Sequence, residues 1–197
     1  MHRLIRIAPV LLALCGCGGA VPRNSRETSA VLDLLSPGYR FGETLAALER
    51  GGELTEVAAS ESEYGTASAR LQLASPRMGF VGVRIFLHQP RPDAGKGEMR
   101  ATSFVFYTSP ERDQPPALDA AARHTEALTH VLGRPPRAGC AGGAYEERVY
   151  YWETPRGGGV ALFVPPEPRR WPFRIDVYPP GKRVRDVAMQ LRAEPCQ

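Results

Sequence analysis

Four carboxylates in the second half of the chain are the residues best suited to acid–base chemistry. They are Glu146, Glu147, Glu153 and Asp176, each within or beside a segment that the sequence predicts to be a strand. Hydrolysis of a glycosidic bond needs two such groups, one to protonate the leaving oxygen and one to activate water or attack the sugar. No motif brings two of them together, so charged surface residues are the simpler interpretation and we assign no catalytic residue.

The histidines do not have the spacing of metal ligands. His124 and His130 lie six residues apart on a predicted helix, which is about 600° of rotation, so they point to different sides. His124 could pair with Asp119 or Glu126, although a solvated helix face is the position we expect for it. No phosphate-binding loop, nucleophile elbow or zinc-protease motif is present. The sequence therefore predicts neither a metal nor a cofactor.

Aromatic and arginine side chains indicate binding more than catalysis. Trp152 shares one face of a predicted strand with Tyr150, where it could serve either the core or an exposed aromatic platform. The segment Arg169-Arg170-Trp171 combines two guanidinium groups with an indole, and arginine hydrogen-bonds phosphate and carboxylate well. A solvated loop is the alternative for that segment. The candidate partner-binding residues are Trp152, Arg169, Arg170 and Trp171.

The first half of the chain reads as two short helices followed by three strands. Ser25 is a suitable N-cap for a helix that runs to about Leu35, and Pro37-Gly38 ends it. A second helix covers roughly Glu43 to Arg50. Alternation of apolar and polar residues then predicts strands in an antiparallel meander. These strands cover residues 67–73, 80–87 and 100–107, and in the second of them Val81, Val83, Ile85 and Leu87 share one face.

The second half repeats this order, with a helix and then three strands. Apolar residues at helical spacing predict a helix from Pro115 to Leu132, and Gly133 closes it. A loop over 134–144, strands over 147–152, 159–164 and 173–178, and a last helix over 184–192 complete the prediction. We expect an α+β fold in which helices pack on one face of an antiparallel sheet, and two αβββ halves are one arrangement that fits. This order of elements is similar to that of periplasmic lipoprotein modules that take part in barrel assembly or act as inhibitors, in which small helix-plus-sheet units bind partner proteins.

The N-terminus combines a positive start, a short apolar run and a cysteine. Arg3 and Arg6 precede eight apolar residues, Ile7 to Leu14, which are too few for a membrane-spanning helix of about 20 residues. Leu14, Gly16 and Cys17 then occupy the positions of the lipobox, so this segment resembles the leader of bacterial lipoproteins. Cys15 is the competing choice, but it would place Leu14 where a small residue is expected.

The resemblance implies where the protein resides. Residues 1–16 would be a signal peptide, residues 17–25 an acylated Cys17 with a flexible tether, and residues 26–197 a single α+β domain. Two or more acyl chains hold a protein stably on a membrane. Gly18 after the cysteine implies sorting to the outer membrane, with the domain facing the periplasm. An ordinary secretory signal or an intracellular start is the alternative.

In that setting two cysteines remain for the domain. Cys15 would leave with the signal and Cys17 would carry lipid, which leaves Cys140 and Cys196 in an oxidising compartment. We predict a disulfide between them, closing a loop of about 57 residues and contributing roughly 4 kcal/mol. Free thiols and an intermolecular bridge are the alternatives.

Composition narrows the functional classes. The leader takes Arg3 and Arg6 with it, so the formal net charge falls from +4 to +2, which is too small to indicate nucleic-acid binding. We therefore expect a non-enzymatic binding or scaffold module of the cell envelope, held by membrane lipid through Cys17, with an envelope protein or glycan as partner. The alternative is an envelope glycan-binding domain or hydrolase that uses the strand carboxylates.

Overall fold

The computed structural model describes residues 25–59, 66–109, 117–141, 146–155, 158–166, 172–180, 191–192 and 196. These residues form three α-helices and nine strands. The helices are α1 (Arg26–Leu35), α2 (Leu45–Leu48) and α3 (Ala117–Leu132), and a 3₁₀ turn (Glu49–Gly51) follows α2. The strands are β1 (Gly52–Ala59), β2 (Thr66–Arg77), β3 (Phe80–His88), β4 (Arg100–Thr108), β5 (Arg137–Ala141), β6 (Glu147–Glu153), β7 (Gly159–Val164), β8 (Arg174–Tyr178) and β9 (Leu191–Arg192).

The ends of the helices are set by capping residues that can be recognised in the sequence. The Ser25 hydroxyl accepts a hydrogen bond from the backbone N–H of Thr28 at 3.1 Å, and the Thr28 hydroxyl accepts one from the Ser25 N–H at 3.2 Å, so the pair forms a capping box. At the C-terminal end of α3, the longest of the described helices, Gly133 has φ +68°, which glycine adopts without steric cost. The predicted bounds of α1 and the predicted end of α3 are confirmed.

All nine strands belong to one antiparallel sheet, in the order β1-β2-β3-β4-β8-β7-β6-β5-β9. The first four strands form one meander and β5 to β8 form a second, and the two meet where β4 pairs with β8. Met78 and Gly79, both at positive φ, make the tight turn between β2 and β3. The predicted class, an antiparallel sheet accompanied by helices, is confirmed, although the molecule is mostly sheet.

The predicted αβββ halves are wrong in their strand number, because the first half contains four strands and the second contains five, the two-residue β9 included. The first half gains β1, an exposed edge strand that the sequence left unassigned. The second half gains β5, within the segment 134–144 that was predicted to be a loop. β1 and β5 each pair with the next strand of their own meander.

The main core lies between the helices and one face of the sheet, and a smaller buried cluster of Val149, Ala161 and Phe163 lies on the opposite face. Buried residues of all three helices join one cluster with the inward side chains of β2, β3, β4, β6, β7 and β8. Fully burying a large apolar side chain contributes about 1.5–3 kcal/mol. An extra residue at Val81, opposite the β4 register, brings Phe80 into this cluster, whereas the predicted alternation had placed Val81 there. The largest fully buried side chains include Trp152, Tyr39, Phe80, Phe104, Phe106 and Phe173.

The C-terminal end is attached to the edge of the second meander. β9 pairs with β5, and a disulfide joins Cys140 to Cys196, whose Cα atoms are 5.4 Å apart. The predicted disulfide is confirmed. The predicted last helix over 184–192 is wrong at residues 191–192, which are a strand, because they hydrogen-bond to the edge of β5; its other residues lie outside the described part of the chain. Within the described residues, no helix has the length and apolar character needed to cross a membrane.

Candidate functional site

Trp152 belongs to the core and not to a binding surface. Its side chain is 1% exposed, and its Nε1–H donates a hydrogen bond to the backbone carbonyl of Arg134 at 3.1 Å. The sequence allowed Trp152 either a core position or an exposed one, and the structure shows the core position. Trp152 is therefore removed from the candidate partner-binding residues. The other members, Arg169, Arg170 and Trp171, lie outside the described residues, as does Cys17.

His124 is also a core residue, which corrects the expected solvated helix face. It is 8% exposed and its ring lies between those of Phe80 and Phe173, with centroid distances of 5.1 and 5.5 Å. Burial, together with the nearby charge of Arg123, lowers the pKa of His124 to about 4. The imidazole is therefore neutral at physiological pH and takes part in packing.

His130 lines a shallow groove between α3 and β6. The groove has a volume of about 540 Å³, and its polar lining includes Thr125, Glu126, Thr129, His130 and Tyr150. No group of three histidine, cysteine, aspartate or glutamate residues among those the structure describes could hold a metal ion.

Two of the four candidate carboxylates meet around one arginine on the face of the sheet opposite the helices. Arg174 Nη2 is 3.8 Å from Glu147 Oε2, and Arg174 Nε is 3.0 Å from Asp176 Oδ1. The Tyr178 hydroxyl donates to Asp176 Oδ2 at 2.8 Å, and the guanidinium carbon lies 3.8 Å from the centroid of the Phe163 ring. We call Glu147, Phe163, Arg174, Asp176 and Tyr178 the arginine cluster.

Burial dominates the electrostatics of the arginine cluster. It raises the pKa of Asp176 to about 6, against the opposing effects of Arg174 and of the Tyr178 hydrogen bond. Burial likewise raises the pKa of Glu147, with Arg174 opposing, and that of the Tyr178 hydroxyl, where the charge of Asp176 acts in the same direction. These directions show that desolvation outweighs the single arginine, so the cluster favours uptake of a proton.

The geometry of the arginine cluster suits holding strands together more than catalysis. The Nε–H of Arg174 is not directed at Asp176 Oδ1 despite the short distance, so neither atom completes a hydrogen bond within the described structure. Both carboxylates are largely buried against the same guanidinium. Glu153, at the far end of β6, is exposed and does not join them.

The same face of the sheet continues across the first meander, where a grid of side chains faces away from the helices. Strand register places them in three rows: Gln72, Gly82 and Tyr107; Arg70, Arg84 and Val105; Ser68, Phe86 and Ser103. We call these nine residues the open face. It adjoins the arginine cluster, because Tyr107 pairs with Arg174 and Val105 with Asp176.

The open face carries two arginines and two aromatic residues among its nine positions, while Gly82 and Ser103 are buried. Phe86 is 38% exposed and is one of two exposed large apolar residues in the described structure. The Arg84 guanidinium carbon lies 5.6 Å from the centroid of its ring, and Arg84 has no ion-pair partner among the described residues. Arg70 pairs with Glu56 on β1 at 3.1 Å. A Cβ placed on Gly82 would come within 2.4 Å of Tyr107 Cζ, so the phenol end of Tyr107 lies directly over that glycine.

Sequence reasoning missed this surface, although one signal for it was present. The strand 80–87 was predicted to place Val81, Val83, Ile85 and Leu87 on one face, and all of these except Val81 belong to the core. Arg84 and Phe86 therefore had to face the other way, which places a large aromatic residue beside an arginine on the side of the strand away from the core. The neighbouring Tyr107 could not be added without the register between β3 and β4.

Comparisons with known proteins give no relative: no family model matches the chain, and no curated protein or solved structure is significantly similar to it.

Proposed function

We propose that this protein is a lipid-anchored module of the bacterial cell envelope that binds an envelope component through its open face. The anchor rests on the leader and on Cys17, which have the residue types of the lipoprotein lipobox. The observation that carries the binding role is the exposed arginine–aromatic surface around Phe86 and Arg84. Arginine and aromatic residues are enriched in the energetically dominant parts of interfaces, whereas lysine and acidic residues are depleted there.

The open face has the composition that this role requires. None of its nine residues is a lysine or an acid, and the sheet that presents it is supported from behind by the helix-side core. The disulfide between Cys140 and Cys196 is in keeping with an oxidising compartment. The domain would therefore present a fixed surface at a short distance from the membrane.

Metabolic labelling with a palmitate analogue tests the anchor. We expect the full chain, expressed in a bacterial host, to incorporate label and to sediment with membranes. Cys17→Ser should lose the label, whereas the matched variant Cys15→Ser should retain it. An unlabelled wild-type chain that keeps Met1 would overturn the lipid anchor.

Site-specific photo-crosslinking tests the binding surface. A photoreactive residue at Phe86 should give discrete adducts in intact cells. Val57 is the matched control, because it is the other exposed large apolar residue and its β1 position pairs with Ala69, whose side chain belongs to the helix-side core. Equal adduct yields at positions 86 and 57, or none at 86, would contradict binding through the open face.

A hydrolase is the second candidate function, and the convergence of Glu147 and Asp176 favours it. A carboxyl group whose pKa is raised to about 6 can act as a general acid near neutral pH. Asp176→Asn should then abolish release of soluble fragments from a labelled envelope glycan. If the wild-type protein releases no fragments, this alternative fails and the binding role is unaffected.

A further inference from the structure

We infer that the open face binds a carboxylate-bearing glycan, namely the peptidoglycan of the cell wall. The inference deepens the proposed function and depends on it for the location of the protein in the envelope. It identifies the partner by chemistry: flat sugar rings for the aromatic groups and stem-peptide carboxylates for the guanidinium groups.

The aromatic groups lie where they can stack on a ligand. Tyr107 reaches across from β4, and its phenol end covers Gly82, where there is no side chain to hold it off the backbone. Phe86 lies four residues further along β3 than Gly82 on the same face, and the residue is 38% exposed. A surface of this kind offers apolar area at small conformational cost, since aromatic rings have few rotatable bonds.

The charge of the open face fits an anionic ligand. Arg84 lies on β3 between Phe86 and Gly82, the residue that Tyr107 covers; its guanidinium lies over the Phe86 ring, and it has no ion-pair partner among the described residues. Arg70, beside it on β2, shares its charge with the half-exposed Glu56. Guanidinium groups bind carboxylates through two parallel hydrogen bonds, so an incoming carboxylate would gain more at Arg84 than at a lysine.

The shape of the open face fits a polymer better than a small molecule. From Gly82 to Phe86 the strand advances about 13 Å, at 3.3 Å per residue. Among the described residues, the aromatic and arginine side chains form a row on a sheet surface instead of converging in a cavity. A chain of several sugars can contact the row along its length, whereas a single sugar would contact only one part of it.

Co-sedimentation with purified peptidoglycan sacculi tests the inference. We expect the full-length acylated protein, purified in detergent, to pellet with sacculi at low salt and to be released as the salt concentration rises. Phe86→Ala and Arg84→Gln should each weaken binding about tenfold. Arg123→Gln is the matched control: it removes the same charge from an exposed position on α3, and its binding should be unchanged.

A third variant alters the open face without removing any of its side chains. Gly82→Ala would displace the phenol end of Tyr107, a change that the end of a side chain can accommodate without unfolding the sheet. Binding should fall while the circular dichroism spectrum and the unfolding midpoint stay close to those of the wild type. If Phe86→Ala fails to fold, this variant alone decides the contribution of the aromatic row.

Competition with soluble muropeptides distinguishes a requirement for ligand carboxylates from nonspecific adsorption. Fragments with free carboxylates should release the protein from sacculi, and fragments with amidated carboxylates should do so at least tenfold less well. Equal competition, wild-type protein that stays in the supernatant, or capture of an envelope protein without sacculus binding would each overturn the inference. None of these outcomes affects palmitate labelling, so failure of the inference and failure of the anchor are distinguishable.

Discussion

His124 and Asp176 are two buried titratable residues that make the stability of the fold depend on pH in opposite directions. The pKa of His124 is lowered to about 4 and that of Asp176 is raised to about 6, in both cases chiefly because burial disfavours the charged form. The neutral histidine stabilises the fold above its unfolded pKa, and this stabilisation is lost as the pH falls towards 4. The protonated aspartic acid stabilises the fold at low pH, and this is lost as the pH rises through 6.

Replacing His124 should protect the fold from acid. His124→Leu keeps an apolar side chain between Phe80 and Phe173 and removes the group that must become charged. The wild-type protein should lose about 3 kcal/mol through this residue between pH 6.5 and 4, and the variant should not. Urea unfolding at several pH values measures the difference. An acid loss of equal size in the variant would show that the imidazole does not titrate as we infer.

Replacing Asp176 should have the reverse effect on the pH profile. Asp176→Asn removes a buried carboxylate that is costly to ionise, so the part of the stability that declines between pH 4 and 7 should disappear. Unfolding midpoints at pH 5.0 and 7.5 test this, with the exposed Glu153→Gln as a control that removes the same charge. A variant that retains the wild-type difference between these pH values, or a control that loses it, would contradict the assignment.

At the level of elements, the capping box at the start of α1 has a measurable role. Ser25 is 4% exposed, and its hydroxyl accepts from the backbone N–H of Thr28. Ser25→Ala should lower the free energy of unfolding by about 1 kcal/mol, because that N–H loses its partner. Ser29→Ala, within the same helix, is the control and should be neutral or slightly stabilising, since alanine is the better helix former. Equal effects of the two substitutions would show that the cap does not matter.

Local patterns were enough to predict the elements with regular alternation or marked ends. Ser25 gave the start of α1, and the alternation that places Val83, Ile85 and Leu87 on one face gave β3. β1 was not predicted because it lies at the exposed edge of the sheet, carries Glu53 and Glu56, and contains a bulge at Thr55 that interrupts the alternation. Neither face of such a strand is buried along its whole length, so its sequence does not alternate between apolar and polar residues.

The candidate site shows a different limit, because it depends on strand order. Glu147 is on β6 and Asp176 on β8, and Arg174 connects them across β7. The sequence marks each carboxylate as lying within a strand, but only the order of strands in the sheet places them on the same side of one guanidinium. The position of Tyr107 over Gly82 likewise depends on a register that no local pattern specifies.

At the scale of the whole molecule, the disulfide is a covalent constraint on the fold that two substitutions remove. Cys140 and Cys196 are separated by 56 residues in sequence, and the bridge attaches the C-terminal end to β5. Cys140→Ser with Cys196→Ser should lower the free energy of unfolding by about 4 kcal/mol in the chain-entropy description. Guanidinium unfolding with and without reductant measures this: reductant should shift the wild-type midpoint and leave that of the double variant unchanged. Two reactive thiols in the native oxidised protein would contradict the bridge.

The order of strands in the sheet bears on how a newly made chain can fold. Residues 52–108 supply all of the first meander, and no strand from later in the chain is inserted between its members. Once α1 and β1 to β4 are free to fold, they supply a set of neighbouring hairpins, which close quickly because their partners are adjacent in sequence. The bridge lies entirely within the later residues, so oxidation acts on the second meander alone, and the first can form before any oxidant has acted.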